Sequence, residues 1–198
     1  MNGGNPNESK PIALGRRIAI LGPTGSGKST TGASMAEKLG LAFIELDSIF
    51  WLPNWRSKNA EEFRKDLRIA LDAAPQGWVV AGNYGSQSEG MVIAEADTII
   101  WLRLPFRTTF RRVLIARAWT RQLLWGTNRE SWRMSFFSRD SIILYSIHSR
   151  STHIPKTESL LRCAPLTANV YSLRSPCEVS HLLEATGVAA PSFDRPIG

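Results

Sequence analysis

Gly22-Pro23-Thr24-Gly25-Ser26-Gly27-Lys28-Ser29 fits the pattern GxxxxGK[ST], a glycine-rich turn that offers successive backbone N–H groups to phosphate oxygens. That chemistry needs small residues, because N–H groups converge on an anion only where side chains stay out of the way. Pro23 has no N–H, so the donors run from Gly25 to Thr30, joined by the unpaired N–H groups of the helix that follows. Lys28 reaches toward β- and γ-phosphates, and the Ser29 hydroxyl is placed to ligate Mg²⁺. The candidate nucleotide site is Gly22, Thr24, Gly25, Ser26, Gly27, Lys28, Ser29 and Thr30.

Holding a triphosphate is half of a transfer reaction. The other half needs an acceptor held in line and positive charge around the moving group. Asp47 follows an apolar run, and arginines crowd the stretch from Arg103 to Arg150. Arg117 and Arg121 are four apart, on one face of a helix, and Arg129 and Arg133 repeat the interval. Each has a plainer alternative: a lone Asp after a strand often caps a helix or forms a turn, and a charged helix stripe is commonly a solvated face. Arg107, Arg111 and Arg112 rank below them. Trp51 and Trp55, just after Asp47, are candidates to line an acceptor pocket, whereas Trp78 and Trp101 fall inside apolar strands and are expected in the core. His148, His153, His181, Cys163 and Cys177 lack ligand spacing, so neither a transition-metal site nor a nucleophilic triad is expected.

The elements that must position these groups alternate in type. Arg17–Leu21 reads as a doubly buried strand and Lys28–Leu39 as a helix stopped by Gly40. Ala42–Leu46 reads as a second strand ending at Asp47. Asn59, with Glu62 three residues on, caps a helix whose apolar positions are Phe63, Leu67, Ala70, Leu71 and Ala74, and Pro75 and Gly77 end it. Trp78–Ala81 and Thr98–Leu104 are further strands, broken by Gly82–Gly85 and Pro105. Helix is expected from Phe106 to about Leu124, then an irregular stretch to about Phe137, then helices over Ser138–Arg150 and Lys156–Cys163. Asn169–Leu173 closes the strands and Pro176–Ala185 the helices, with Gly187 as the stop. Such alternation predicts a parallel sheet with right-handed crossovers and ligand sites beyond the carboxyl ends of its strands. Those ends carry Gly22–Thr30, Asp47, Gly82–Gly85, Pro105–Arg107 and Arg174–Pro176.

In GPTGSGKST, ELDSIFW, WVVAGNYG, TIIWLRLPFRTTFRRV and VYSLRSPCEV the chain resembles the adenylate-kinase-like P-loop kinases. LLWGTNRESWR is similar to a signature of the bacterial DNA topology modulation protein (FlaR-like) subgroup. The resemblance runs from about Arg17 to Leu183. It implies an α/β fold of three α/β/α layers, a five-stranded parallel sheet in the order 2-3-1-4-5, and a helical lid over about 118–139. It also implies that Asp47 orients or deprotonates the acceptor hydroxyl or meets Mg²⁺ through water, making Ser29 and Asp47 the metal candidates. Arg117 and Arg121 match the pair that begins the lid, one stacking on adenine and both approaching phosphate. At the third strand WVVAGNYG offers Asn83 and Tyr84 where a Walker B acid would stand, which suits a small kinase better than a motor ATPase. Those two residues contact the acceptor or form a structural turn. Arg64 and Arg68 are the nearest equivalents of a monophosphate-binding arginine.

Composition bounds the rest. With 198 residues, 43% hydrophobic and 21% charged, the chain suits one domain, here 15–190 between tails 1–14 and 191–198. No apolar run approaches a bilayer span, and the polar first residues lack the pattern of a secretory signal, so a cytoplasmic location is expected. The net charge of +7 favours anionic partners without choosing among them. The leading expectation is a phosphotransferase using ATP and Mg²⁺, with Lys28, Asp47, Arg117, Arg121 and Arg133 as catalytic residues. Its acceptor, a nucleotide or a small hydroxylated metabolite, stays open, as does the oligomeric state. The alternative is an ATP-gated regulatory protein binding nucleic acid, although no helix-turn-helix, zinc finger or RNA-binding signature is present.

Overall fold

The computed structural model describes residues 14–53, 56–84, 87–88, 90–119, 157–162 and 164–186. Strand β1 (Arg17–Leu21) lies at the centre of a five-stranded sheet, flanked by β5 (Trp78–Ala81) and β6 (Thr98–Leu102). Beyond these lie β2 (Ala42–Glu45) and β7 (Asn169–Leu173) at the edges, and every pairing in the sheet is parallel. The order is β2-β5-β1-β6-β7. Setting aside a two-stranded antiparallel hairpin, β3 (Trp51–Leu52) with β4 (Arg56–Ser57), this is the expected 2-3-1-4-5.

Side chains alternate along each central strand, and both faces are covered, as a parallel sheet requires. On one face Ala19, Leu21, Val80, Ile99 and Trp101 join a core with Phe63, Leu67 and Leu71 of helix α3 (Ala60–Asp72) and Val92 and Ile93 of α4 (Met91–Glu95). On the other, Ile18, Ile20, Val79, Ile100 and Leu102 meet Met35 and Ala36 of α1 (Lys28–Leu39) and Leu182 of α6 (Pro176–Ala185). Trp78 and Trp101 are buried as expected.

Caps set the helix bounds. Asn59 accepts a hydrogen bond from the Glu62 N–H at 2.8 Å to start α3, and Gly40 stops α1 in the left-handed conformation. At the start of α6, Ser175 accepts from Glu178 N–H, with Pro176 in the first turn.

The structure departs from the sequence reading where tertiary contacts override local pattern. Strand β2 ends at Glu45, and Asp47 lies in the first turn of a short helix, α2 (Leu46–Phe50), whose Leu46 is buried in the core. The fourth strand of the sheet stops at Leu102, two residues short of the expected Leu104. Helix α5 (Phe106–Trp119) begins where expected. Its expected continuation, the lid and a helix over 138–150 lie outside the described residues, as do the tail segments 1–13 and 191–198 and the stop at Gly187. A helical stretch at 157–162 is present.

Leu67 is fully buried between α3 and the sheet. Leu67→Ala is expected to lower the unfolding free energy by roughly 2 to 5 kcal/mol, read as an earlier urea midpoint with an unchanged slope.

Candidate active site

Parallel register brings the carboxyl ends of the central strands level: Ala81 lies beside both Ile20 and Glu45, and Leu21 beside Trp101. The glycine-rich turn leaves this edge between β1 and α1. Its entry is held by Asn83, whose amide donates to the Gly22 carbonyl at 2.5 Å while its side-chain oxygen accepts from the Gly22 N–H at 3.1 Å. A Cβ on Gly22 would come within 2.9 Å of the Leu102 carbonyl, so the turn passes against β6 too closely for any side chain. Farther along, Gly25 has φ +77°, and a Cβ there would meet the Thr109 carbonyl at 2.5 Å and Val113 Cγ2 at 2.6 Å. The outer wall of the turn is therefore α5, one turn of which presents Thr109, Arg112 and Val113 to it.

Arg112 adds a cation to that wall. Its Nη1 donates to the Ser26 carbonyl at 3.2 Å. Spacing alone does not distinguish Arg112 from Arg107 and Arg111; the face that α5 turns to the phosphate loop does.

Helix α1 begins at Gly27 with no side-chain cap and no acid in its first turn, leaving its first N–H groups for an anion. Lys28 donates to the Pro23 carbonyl at 3.1 Å. Burial pushes its pKa below the ordinary 10.5, against the opposing fields of Asp47 and Glu45, so both carboxylates act on this ammonium. Ser26 Oγ is buried and has no partner among the described residues. A glycine-lined turn against a bare helix start, an orphaned hydroxyl and a buried lysine fit a nucleotide's phosphates.

The Ser29 hydroxyl donates to Glu45 Oε1. Sequence reasoning paired Ser29 with Asp47 and missed Glu45; the available signal was its place on the last residue of β2, level with the phosphate turn. Hydroxyl and carboxylate oxygens with phosphate suit Mg²⁺, which takes one or two carboxylates and keeps water. No cluster of three or more His, Cys, Asp or Glu able to hold a metal occurs among the described residues.

Asp47 meets Tyr84 instead: the phenol donates to Oδ1 at 2.5 Å. Its ring packs on Phe50 at 4.7 Å and Phe63 at 5.3 Å. Of the two residues standing where an acid was absent, Asn83 thus seats the phosphate turn and Tyr84 holds the carboxylate. Trp51 packs edge-on against Phe50 at 5.1 Å.

Arg68 does not reach this edge. It pairs with Asp72 at 2.7 Å and with Glu95, tying α3 to α4, which corrects its candidacy as a phosphate ligand. Arg64 donates to the Gln87 carbonyl at 3.4 Å. Arg117 falls in the last turn of α5, and its side chain lies outside the described residues, as do Arg121, Arg129, Arg133 and Trp55.

The sequence model of the shikimate kinase family matches residues 24–161. A shikimate kinase of Persephonella marina is 34% identical over 109 residues, 49% of this chain and 66% of that protein, so the chain spans just under two thirds of that relative. Another, from Prochlorococcus marinus, is 28% identical over 153 residues, 71% of this chain and 77% of that protein. The solved shikimate kinase of Bacteroides thetaiotaomicron has a TM-score of 0.50 at 17% identity, covering 85% of this chain and 94% of that one, a likeness of fold. None of these three is named for DNA topology, and the nucleic-acid alternative finds no support in them.

Two outcomes follow from the geometry of the turn. Gly25→Ala forces a side chain into the Thr109 backbone at a positive φ and is expected to weaken ATP binding by about a hundredfold or more, measured by titration calorimetry. Triphosphate binding returns Lys28 toward its charged form, so on the alkaline side, as pH approaches the ordinary 10.5, ATP binding takes up a proton. Affinity then falls as pH rises, by up to about tenfold per unit. Calorimetry in buffers of different ionisation enthalpy detects the uptake, and Lys28→Met removes it.

Proposed function

This chain belongs to the shikimate kinase family, and from that premise we propose that it transfers the γ-phosphoryl group of ATP to one hydroxyl of a small hydroxylated acceptor, shikimate being the first candidate. The observation that carries the reading is the convergence of Lys28, Ser29, Glu45 and Asp47 at one sheet edge, with the Lys28 ammonium in the field of both carboxylates. A phosphate cradle alone suits any nucleotide-binding protein; a carboxylate facing it suits a transferase.

The α1 start and the turn from Gly22 to Thr30 hold the β- and γ-phosphates, and Lys28 draws negative charge toward the bridging oxygen. Ser29 and Glu45 would hold Mg²⁺, which supplies charge neutralisation across the phosphates when bound. Asp47 orients the acceptor hydroxyl and takes its proton as the oxygen attacks the γ-phosphorus, the bond to the β-bridging oxygen breaks, and ADP leaves. Arg117, Arg121 and Arg133 are the arginines proposed to close over the transferred group. Kinship with the DNA topology modulation subgroup rests on 123–133 alone and concerns the lid sequence rather than the chemistry. We place the enzyme in the cytoplasm as a single domain over 15–190; no described helix is long and apolar enough to cross a membrane.

The test is ADP release measured with ATP, Mg²⁺ and shikimate, then with pools of nucleoside monophosphates and hydroxylated metabolites. Wild type is expected to turn over one acceptor, Lys28→Ala to lose at least about a hundredfold, and Asp47→Asn about a hundredfold or more in kcat. Acceptor-independent ADP release in every pool would overturn the reading.

A further inference from the structure

Tyr84 sits where two constraints meet. Gly82 leaves β5 so close to α2 that a Cβ on it would lie 2.7 Å from Leu46 Cβ. The next residue, Asn83, is bonded to both polar groups of the Gly22 peptide chain. With Gly82 against Leu46 and Asn83 tied to Gly22, the phenol that follows lies toward α2. There its ring is wedged against Phe50 at 4.7 Å and against Phe63 at 5.3 Å, and Phe63 is itself fully buried. At the end of this support its hydroxyl donates to Asp47 Oδ1 at 2.5 Å. Among the described residues no other hydrogen bond reaches the Asp47 carboxylate.

A carboxylate on a short helix can rotate about its side-chain torsions, and either oxygen can present itself to a substrate. A phenol donor fixed by packed rings removes that freedom: it occupies one oxygen and aims the other. Because the turn that carries Tyr84 also seats the phosphate turn through Asn83, the aim is set relative to Lys28.

We propose that Tyr84 is a positioning residue for phosphoryl transfer: it takes up Oδ1 of Asp47 and leaves Oδ2 to engage a single acceptor hydroxyl in a fixed direction toward the γ-phosphate. The inference rests on the kinase reading above.

The experiment is a double-mutant cycle of Tyr84→Phe and Asp47→Ala. Two rates are followed with ATP and Mg²⁺: phosphorylation of shikimate, and slow ATP hydrolysis, in which water takes the acceptor's place. Cooperative thermal unfolding and the KM for ATP control for folding. In the wild-type background Tyr84→Phe is expected to lower kcat by roughly tenfold to a hundredfold while the KM for ATP moves by less than about twofold. In the Asp47→Ala background the same substitution should cost less than about twofold, because the group it acts through is gone. Equal losses in both backgrounds, or no loss in either rate, would overturn the assignment. If wild type hydrolyses ATP but leaves shikimate untouched, the choice of acceptor fails while the hydrolysis arm still judges Tyr84. If it does neither, the kinase reading fails and takes the Tyr84 role with it.

Discussion

A helix start attracts phosphate through N–H groups that are useful only if the turn leading into them is held still. Here the constraint is the seating of Gly22: one hydrogen bond donated to and one accepted from the Asn83 side chain on one side, and the Leu102 backbone on the other. Everything at the sheet edge is referred to that point. The parallel register of β1 with β5 and β6 places Asn83 and Leu102 beside Gly22, and α5 closes the far side of the turn at Gly25. The glycines of the motif are therefore required twice, by the ligand they bare and by the two walls they pass between.

The same register places the acceptor half. Glu45 ends β2 level with Ala81, and the chain turns at once into α2, so Glu45 faces Ser29 and Asp47 stands one residue into the helix. Two carboxylates two residues apart thus acquire separate partners, a hydroxyl of the phosphate turn and the phenol of Tyr84. Lys28 lies in the field of both, and its burial works against its own charge. An anionic ligand relieves that conflict, which is one reason a buried lysine at this edge reads as a binding group rather than as core.

The sheet was legible because its strands are short apolar runs bounded by Gly and Pro, and because Asn59, Gly40 and Pro176 mark helix ends by local chemistry. Less visible were features decided by contact between distant segments. Helix α2 overlaps a run of strand-like residues and forms because Leu46 is drawn into the core against Gly82. Helix α4 is a five-residue element with no cap signal in its side chains. Glu45 falls inside the strand expected over Ala42–Leu46, and only the folded sheet brings it to the Ser29 hydroxyl; Arg112 is one arginine of many until α5 turns one face toward the phosphate turn. Arg68 shows the reverse case: the resemblance made it an equivalent of a monophosphate-binding arginine, but Asp72 and Glu95 claim it.

The central claim is that one edge holds the triphosphate and the hydroxyl that receives its terminal group. Phosphorus-31 NMR of ATP, Mg²⁺ and shikimate with the purified chain tests it most directly. The account predicts that the γ-phosphate resonance is replaced by that of a phosphomonoester, in step with the appearance of ADP. Growth of inorganic phosphate alone with shikimate and with every other hydroxylated acceptor supplied, or an unchanged ATP spectrum, would contradict it.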